Sequence, residues 1–241
     1  NRLLSLERNW QVQNIIKNFM NKGQKDYFNN PQGLYISARG DIYIADTGNS
    51  RILHFNSNGE LIKEVGKPST DFENIFSRNF VYRPVKLVVS KGGRLYVLAE
   101  NVLEGILEFD ADGTFSGFIG APRVDPDPAD YFWRQISTTE QRERMSLFLP
   151  TEYSGIDLDH KGFIYTTVSA GDVVYEQAIR KLNPAGEDVL KREDFYPPVG
   201  DIHYPGNWSD ASISGRSILI DIAVDNQEIY SALDQKRGHV F

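Results

Sequence analysis

Four histidines, His54, His160, His203 and His239, are the first residues to weigh for metal or acid–base chemistry. They are scattered, with no His-Glu-x-x-His run and no paired spacing, so zinc has no recognisable ligand set. His54 and His160 are expected on the surface. Calcium has one opening: EFDADG, Glu108 to Gly113, sets acids at alternate positions before a glycine, as an EF-hand loop does at its start. The bidentate acid required at the twelfth position is instead Ile119, so the stretch reads as a turn. Cysteine is absent and no G-x-S-x-G occurs, which leaves thiol and acyl-enzyme chemistry without support. No metal and no cofactor is implied.

What remains is chemistry of binding. Tyr131 and Trp133, with Phe132 between them, form one aromatic group; His203, Tyr204 and Trp208 form another. Aromatic faces beside polar groups suit stacking on a sugar, although aromatic residues in loops rich in Pro and Gly also serve simply to pin the loop. A formal charge of −7 and a pI near 5.2 argue against a nucleic-acid partner, since phosphates need a basic face. No apolar run reaches the length of a membrane span, so direct insertion by this segment is not expected. The chain opens NRLLSLERNW, neither a signal peptide nor an initiator methionine; any targeting segment is expected to lie outside it.

The elements that position these groups repeat. RILHFNSNGELIKEV (Arg51 to Val65) aligns without gaps on GILEFDADGTFSGFI (Gly105 to Ile119). Apolar residues match at Ile52/Ile106, Leu53/Leu107, Phe55/Phe109 and Val65/Ile119, and the turn glycine matches at Gly59/Gly113. AIRKLNPAGEDVL (Ala178 to Leu190) is a third copy, with Leu182 for Phe55 and Gly186 for Gly59. An inner part repeats too: PQGLYISARGDIYIAD (Pro31 to Asp46) is answered by PVKLVVSKGGRLYVLA, SGIDLDHKGFIYTT and LIDIAVDNQEIYSALD. Tyr43, Tyr96, Tyr165 and Tyr230 mark the four copies. Each unit is thus two hairpins and a polar link, four short strands with glycine at the turns.

Four-stranded units repeating every 40–50 residues or so are the sequence sign of a β-propeller, in which apolar-faced blades stack about an axis. The fold class is therefore all-β, with half a blade in 1–20, blades in 31–65, 84–119 and 153–190, and another half in 217–241. NRLLSLERNWQVQNI lies directly under SRILHFNSNGELIKEV, Arg2 under Arg51 and Leu6 under Phe55, while Asp234 lies under Asp46. Both ends are expected to cut a repeat, which makes the chain a piece of a larger protein. The alternative is a four-bladed ring in which the N-terminal strands complete the last blade.

FNNPQGLYISARGDIYIADTGNSRILHFNSNGEL resembles the NHL repeat, through Pro31, Gly33, Gly40, Asp41, Tyr43, Asp46, Asn49, Arg51 and Ile52. FDADGTFSGFIGAPRV, YFWRQISTTEQRERMSLFLPTEY, YPPVGDI and LDQKRGHVF resemble a narrower bacterial group of six-bladed NHL propellers, exported or anchored outside the cell, often beside sugar-transport genes and of unsettled function. The resemblance implies a six-bladed parent and an extracellular or cell-surface location. In such units Asp46, Asn49 and Arg51 have a structural role in the link between the second and third strands. Some NHL-type propellers are metal-dependent lyases or lactonases, but their ligand set is not found here.

Function is then sought where the repeat is broken. Residues 121–149 are the largest insertion, and Ser137 with Glu140 forms a capping box that predicts a helix from Thr138 to Phe148. The other place is the axial mouth, where the repeat places Gln32, Lys86 and Glu152, with Arg83 and Asp221 nearby. The reading is a non-enzymatic binding or scaffold module that recognises a protein partner or a carbohydrate; the oligomeric state is left open. The alternative is a metal-assisted lactonase or lyase at the axial mouth.

Overall fold

The computed structural model describes residues 1–6, 8, 10–68, 80–102, 105–120, 152–168, 178–191, 218–235 and 238–240. A two-stranded sheet of β1 (Leu3–Leu6) and β2 (Val12–Ile16) comes first, then a hairpin of β3 (Asn18–Asn21) and β4 (Gln24–Tyr27). Two antiparallel four-stranded sheets follow. One is β5 (Gly33–Ile36), β6 (Ile42–Asp46), β7 (Arg51–Phe55) and β8 (Leu61–Val65); the other is β9 (Pro84–Val89), β10 (Leu95–Ala99), β11 (Ile106–Phe109) and β12 (Phe115–Ile119). β13 (Tyr153–Leu158), β14 (Ile164–Val168) and β15 (Ile179–Leu182) form a third unit. β16 (Leu219–Val224), β17 (Tyr230–Asp234) and β18 (His239–Val240) form the last.

Strand register makes these sheets copies of one blade. Ile52 faces Val65, Ile106 faces Ile119 and Leu3 faces Ile16. Each of these outer hairpins slips register at the same place, between His54 and Phe55, Glu108 and Phe109, and Ser5 and Leu6. In the third unit the outermost strand shrinks to a single bridge, Leu182 to Asp188. The turns repeat as well. Asn56 and Asn183 each accept two turn N–H groups through the side-chain oxygen, ahead of a glycine at positive φ. The turn of the last blade puts Glu228 at φ 64 where the other inner turns have glycine, and its carboxylate pairs with Lys161 and Lys181 of the blade before.

The core lies between blades. The inner strands β5, β9, β13 and β16 lie side by side in sequence order. Tyr43, Ala45, Ile52 and Val65 pack against Leu87, Val89, Val97 and Leu107 of the next blade. Val88, Tyr96, Leu98 and Ile119 do the same with Ile156, Ile164 and Leu182. Each such side chain, fully buried, contributes roughly 1.5–3 kcal/mol, so a blade stripped of its neighbours loses most of what stabilises it. Every outer turn glycine also touches the blade before it. A Cβ on Gly59 would lie 3.0 Å from Ile16 Cδ1, one on Gly113 2.9 Å from Val65 Cγ2, and one on Gly186 2.8 Å from Ile119 Cγ1.

Three expectations change. The β3–β4 hairpin begins at the end of the half blade expected in 1–20 and runs into the stretch before 31 that the repeat left unassigned; Lys22 (φ 50) and Gly23 (φ 80) supply its two-residue turn. Tyr230 is not the counterpart of Tyr43: Val224 faces Tyr230 as Ile36 faces Ile42, so the tyrosine sits one position earlier. The four-bladed closure is not formed, because β17 is extended by β18 while β1 pairs only with β2 among the described residues. The insertion at 121–149 and its helix lie outside the described residues.

Candidate functional site at the axial mouth

The pairings place Gly33, Lys86, Gly155 and Asp221 at one equivalent position on the four inner strands, opposite Ala45, Leu98, Thr167 and Leu233. Two glycines alternate with two charged residues. A Cβ on Gly33 would lie 2.5 Å from the Val85 carbonyl oxygen, and one on Gly155 2.7 Å from Asp221 Cα. Bare backbone there lets neighbouring inner strands approach. Lys86 then reaches past β13: its Nζ donates to the Ile220 carbonyl at 2.7 Å and lies 2.8 Å from the Asp221 carboxylate.

At the outer lip, Arg83 pairs with Glu100, whose backbone N–H also donates to the Arg83 carbonyl at 2.9 Å. Gln32 Nε2 reaches the same carboxylate at 3.5 Å, linking β5's blade to the next. The sequence named Arg83 and Gln32 but not Glu100, although its charge in place of Thr47 was a visible departure from the repeat. Glu152 lies exposed just before β13, and among the described residues no hydrogen bond or ion pair joins it to the others. Tyr131, Trp133, His203, Tyr204 and Trp208 lie outside the described residues.

One step further along the inner strands stand Tyr35, Val88, Asp157 and Ala223. Asp157 was missed, since a lone acid in SGIDLD carries no motif. Its oxygens accept from the N–H of Val224 at 2.7 Å and of Leu158 at 2.8 Å. Burial pushes its carboxyl above the usual range, the two N–H groups oppose that, and the Asp221 charge adds to it. The Tyr35 hydroxyl donates to the Val89 carbonyl at 3.0 Å, and burial, then the Asp157 charge, raise its phenol.

The polar link has its own network. Arg51 Nε donates to the fully buried Asp46 at 2.9 Å, and its other nitrogens reach Asp26 at 2.7 Å and Glu64 at 3.1 Å. Asp46 also accepts from Asn49 at 2.8 Å and from the Asn29 N–H at 2.7 Å. Asp26 comes from β4, the hairpin the repeat does not contain. Burial alone would lower the Arg51 value, but Asp26 and Asp46 outweigh it and raise it. His54 is half-buried rather than on the surface: it stacks on Tyr43 at 4.1 Å, lies 3.6 Å from Asp41, and burial lowers its pKa.

Stacked four-stranded antiparallel units around a common line of inner strands define a β-propeller, here as part of a ring. Residues 28–55, which hold β5, β6 and β7, match the NHL repeat family. No curated protein matches the chain. Among solved structures it is similar to a catalytically inactive virginiamycin B lyase from Staphylococcus aureus with quinupristin, at 14% identity and a TM-score of 0.47, over 88% of this chain and 54% of that one. It is also similar to a protein of unknown function from Bacteroides caccae, at 13% identity and a TM-score of 0.49, over 99% and 76%. The extracellular domain of a one-component system from B. thetaiotaomicron is similar at 12% identity and a TM-score of 0.41, over 92% and 23%. The chain spans about half the length of the lyase. No helix among the described residues is long and apolar enough to cross a membrane.

Proposed function

We propose that the chain is part of a six-bladed, extracellular recognition module that binds a carbohydrate or a protein segment at the axial mouth and its loops, without turnover. The observation that carries this reading is the Lys86 tie across β13 to Asp221, beside the Arg83–Glu100–Gln32 group. These charged side chains converge from different blades, remain partly exposed, and are held in place by one another. Preorganised polar groups on a rigid scaffold suit a ligand rich in hydroxyls or backbone amides, which can join the existing bonds without new ordering. The six-blade count and the extracellular location rest on the resemblance to exported bacterial NHL propellers.

The test is a glycan array and a pulldown from the native surface proteome, each repeated with Arg83→Ala and Lys86→Ala. Ligand capture weakened by both substitutions supports the reading. Capture that both leave unchanged sends the search to the loops, and steady turnover of a lactone or glycan overturns it.

A second reading, a lyase or lactonase at the same mouth, is favoured by one observation. Asp157 is a half-buried carboxyl, bonded to the Val224 and Leu158 N–H groups, whose pKa is held above the usual range by burial and then by the Asp221 charge, which is how an acid–base residue is tuned. A metal-assisted version would need ligands, and among the described residues no three His, Asp or Glu converge to hold an ion. Loss of turnover in Asp157→Asn, with binding retained, would establish it.

A further inference from the structure

The β3–β4 hairpin, which has no copy among the described residues, concentrates positive charge on a chain whose formal charge is −7. Lys17 stands just before β3, Lys22 in the turn and Lys25 on β4. All three are exposed, and among the described residues none of them makes an ion pair or a hydrogen bond. Lys86, Lys161 and Lys181, by contrast, are each paired with a carboxylate. The hairpin's one acid, Asp26, turns the other way, onto the Arg51 guanidinium at 2.7 Å. Strand alternation sorts the two faces. Phe19 and Asp26 are opposite each other and turn inward; Met20 and Lys25, the next pair, turn outward, and Tyr27 follows Lys25 on the same face. Met20 is 62% exposed and Tyr27 55%, with Lys25 Nζ 5.9 Å from the centre of the Tyr27 ring.

This outward face is held from behind. An isolated hairpin is marginally stable, but Phe19 packs on Phe28 and Phe55, each at 5.1 Å between ring centres. Asn21 Nδ2 donates to Asp26 at 3.0 Å and to Glu64 at 2.8 Å, and the Tyr27 carbonyl accepts from Asn49 and Arg51 at 3.1 and 3.2 Å. The hairpin is thus fixed to the blade of β5 to β8, and its cations and exposed apolar groups are ordered before any partner arrives. Lys17 precedes β3 and Lys22 follows it, so strand rise sets them about 15 Å apart, with Met20 and Lys25 between. We propose that this face docks an acidic, extended segment of a partner protein. Its carboxylates meet Lys17, Lys22 and Lys25, and an apolar side chain between them covers Met20 and Tyr27, residue types that interfaces favour. An anionic glycan supplies the charges but no apolar side chain for Met20. A lipid surface needs a broader apolar face than one methionine and one tyrosine. The site is separate from the axial mouth and does not depend on it.

The probe is a labelled synthetic peptide of alternating glutamate and leucine, ELELELE, titrated against the whole chain by fluorescence anisotropy, with KLKLKLK as its charge-reversed control. Saturable binding of the acidic peptide alone is expected, and it weakens as salt is raised. Lys25→Glu should weaken it about three- to tenfold, as an attractive exposed pair becomes a repulsive one, and Met20→Ser several-fold. Both positions are exposed, so the fold is kept. Arg39→Glu makes the same change of charge at an exposed turn elsewhere and should leave binding unaltered. Bound peptide should also slow amide exchange at β3 and β4. Absence of saturable binding, equal binding of KLKLKLK, or an equal loss in Arg39→Glu and Lys25→Glu overturns the proposal. Sedimentation with phosphatidylserine vesicles, or heparin binding, that Lys25→Glu abolishes while ELELELE fails to bind overturns it in favour of a lipid surface or an anionic glycan.

Discussion

Lys86 on β9 and Asp221 on β16 meet at 2.8 Å although a whole inner strand, β13, stands between their blades. Neighbouring blades are held mainly by apolar packing; this pair ties blades one apart. The tie is made passable by Gly155, which occupies the same repeat position on β13 and carries no side chain.

Replacing Lys86 with Met should cost about 1–2 kcal/mol, most of it from the charged bond to the Ile220 carbonyl, whereas Asp221→Asn leaves that bond in place and should cost about 1 kcal/mol or less, because the ion pair itself is partly exposed and screened. Urea unfolding of both singles and the double checks this. The double should fall short of the sum; strict additivity would mean the two side chains do not interact.

Gly155→Ala should destabilise by about 1–3 kcal/mol, since its Cβ would meet Thr167 Oγ1 at 2.6 Å and the Asp221 backbone at 2.7 Å with no flexible atom to yield. Gly66→Ala is the control, as nothing lies within 4 Å of its Cβ. Thermal melts of the two variants should separate clearly.

Asp46→Ala removes a fully buried carboxylate and leaves Arg51 Nε and the Asn29 N–H without that acceptor, while Asp26 and Glu64 still hold the rest of the guanidinium. Breaking one side of a buried pair costs about 3–5 kcal/mol. The Asp46→Ala, Arg51→Met double should be less destabilised than the two singles summed, read from denaturation midpoints.

Acid should weaken the link before it unfolds the blades. The Arg51 guanidinium holds the Asp26 carboxyl well below the usual carboxylate range, with Asn21 and the Tyr27 N–H assisting and burial opposing. A depressed native value means the unfolded chain binds the extra proton first, so the stabilisation is present above the unfolded value of about 3.9 and is lost as pH falls toward the folded one. Asp157 runs the other way: with a raised native value its contribution is fully present below the unfolded value of about 3.9 and is lost as pH rises through its folded value. Unfolding midpoints measured between acid and neutral pH should show a shallower acid decline in Asp26→Asn than in the parent chain.

Much of the fold was legible because a propeller blade repeats its chemistry. The ungapped match of Arg51–Val65 to Gly105–Ile119 carried over into identical pairing and an identical register slip, since apolar alternation and turn glycines are properties of the strand itself. The β3–β4 hairpin was not legible: it has no second copy among the described residues to announce it, and its role depends on Asp26 meeting Arg51 across the fold. Tyr230 misled for a related reason, because side-chain identity suggested one register and backbone pairing took the next.

At the mouth, the sequence ranked positions and the tertiary structure chose partners. Gln32, Arg83, Lys86 and Asp221 could be placed near the starts of inner strands by counting, because strand order along the chain sets which residues begin each blade. That Lys86 would skip a blade, that Glu100 would hold Arg83, and that Asp157 would be a half-buried acid bonded to the Val224 N–H could not be counted out. Those outcomes depend on how closely β5, β9, β13 and β16 approach around the axis, a distance set by packing between blades rather than by any one stretch of chain.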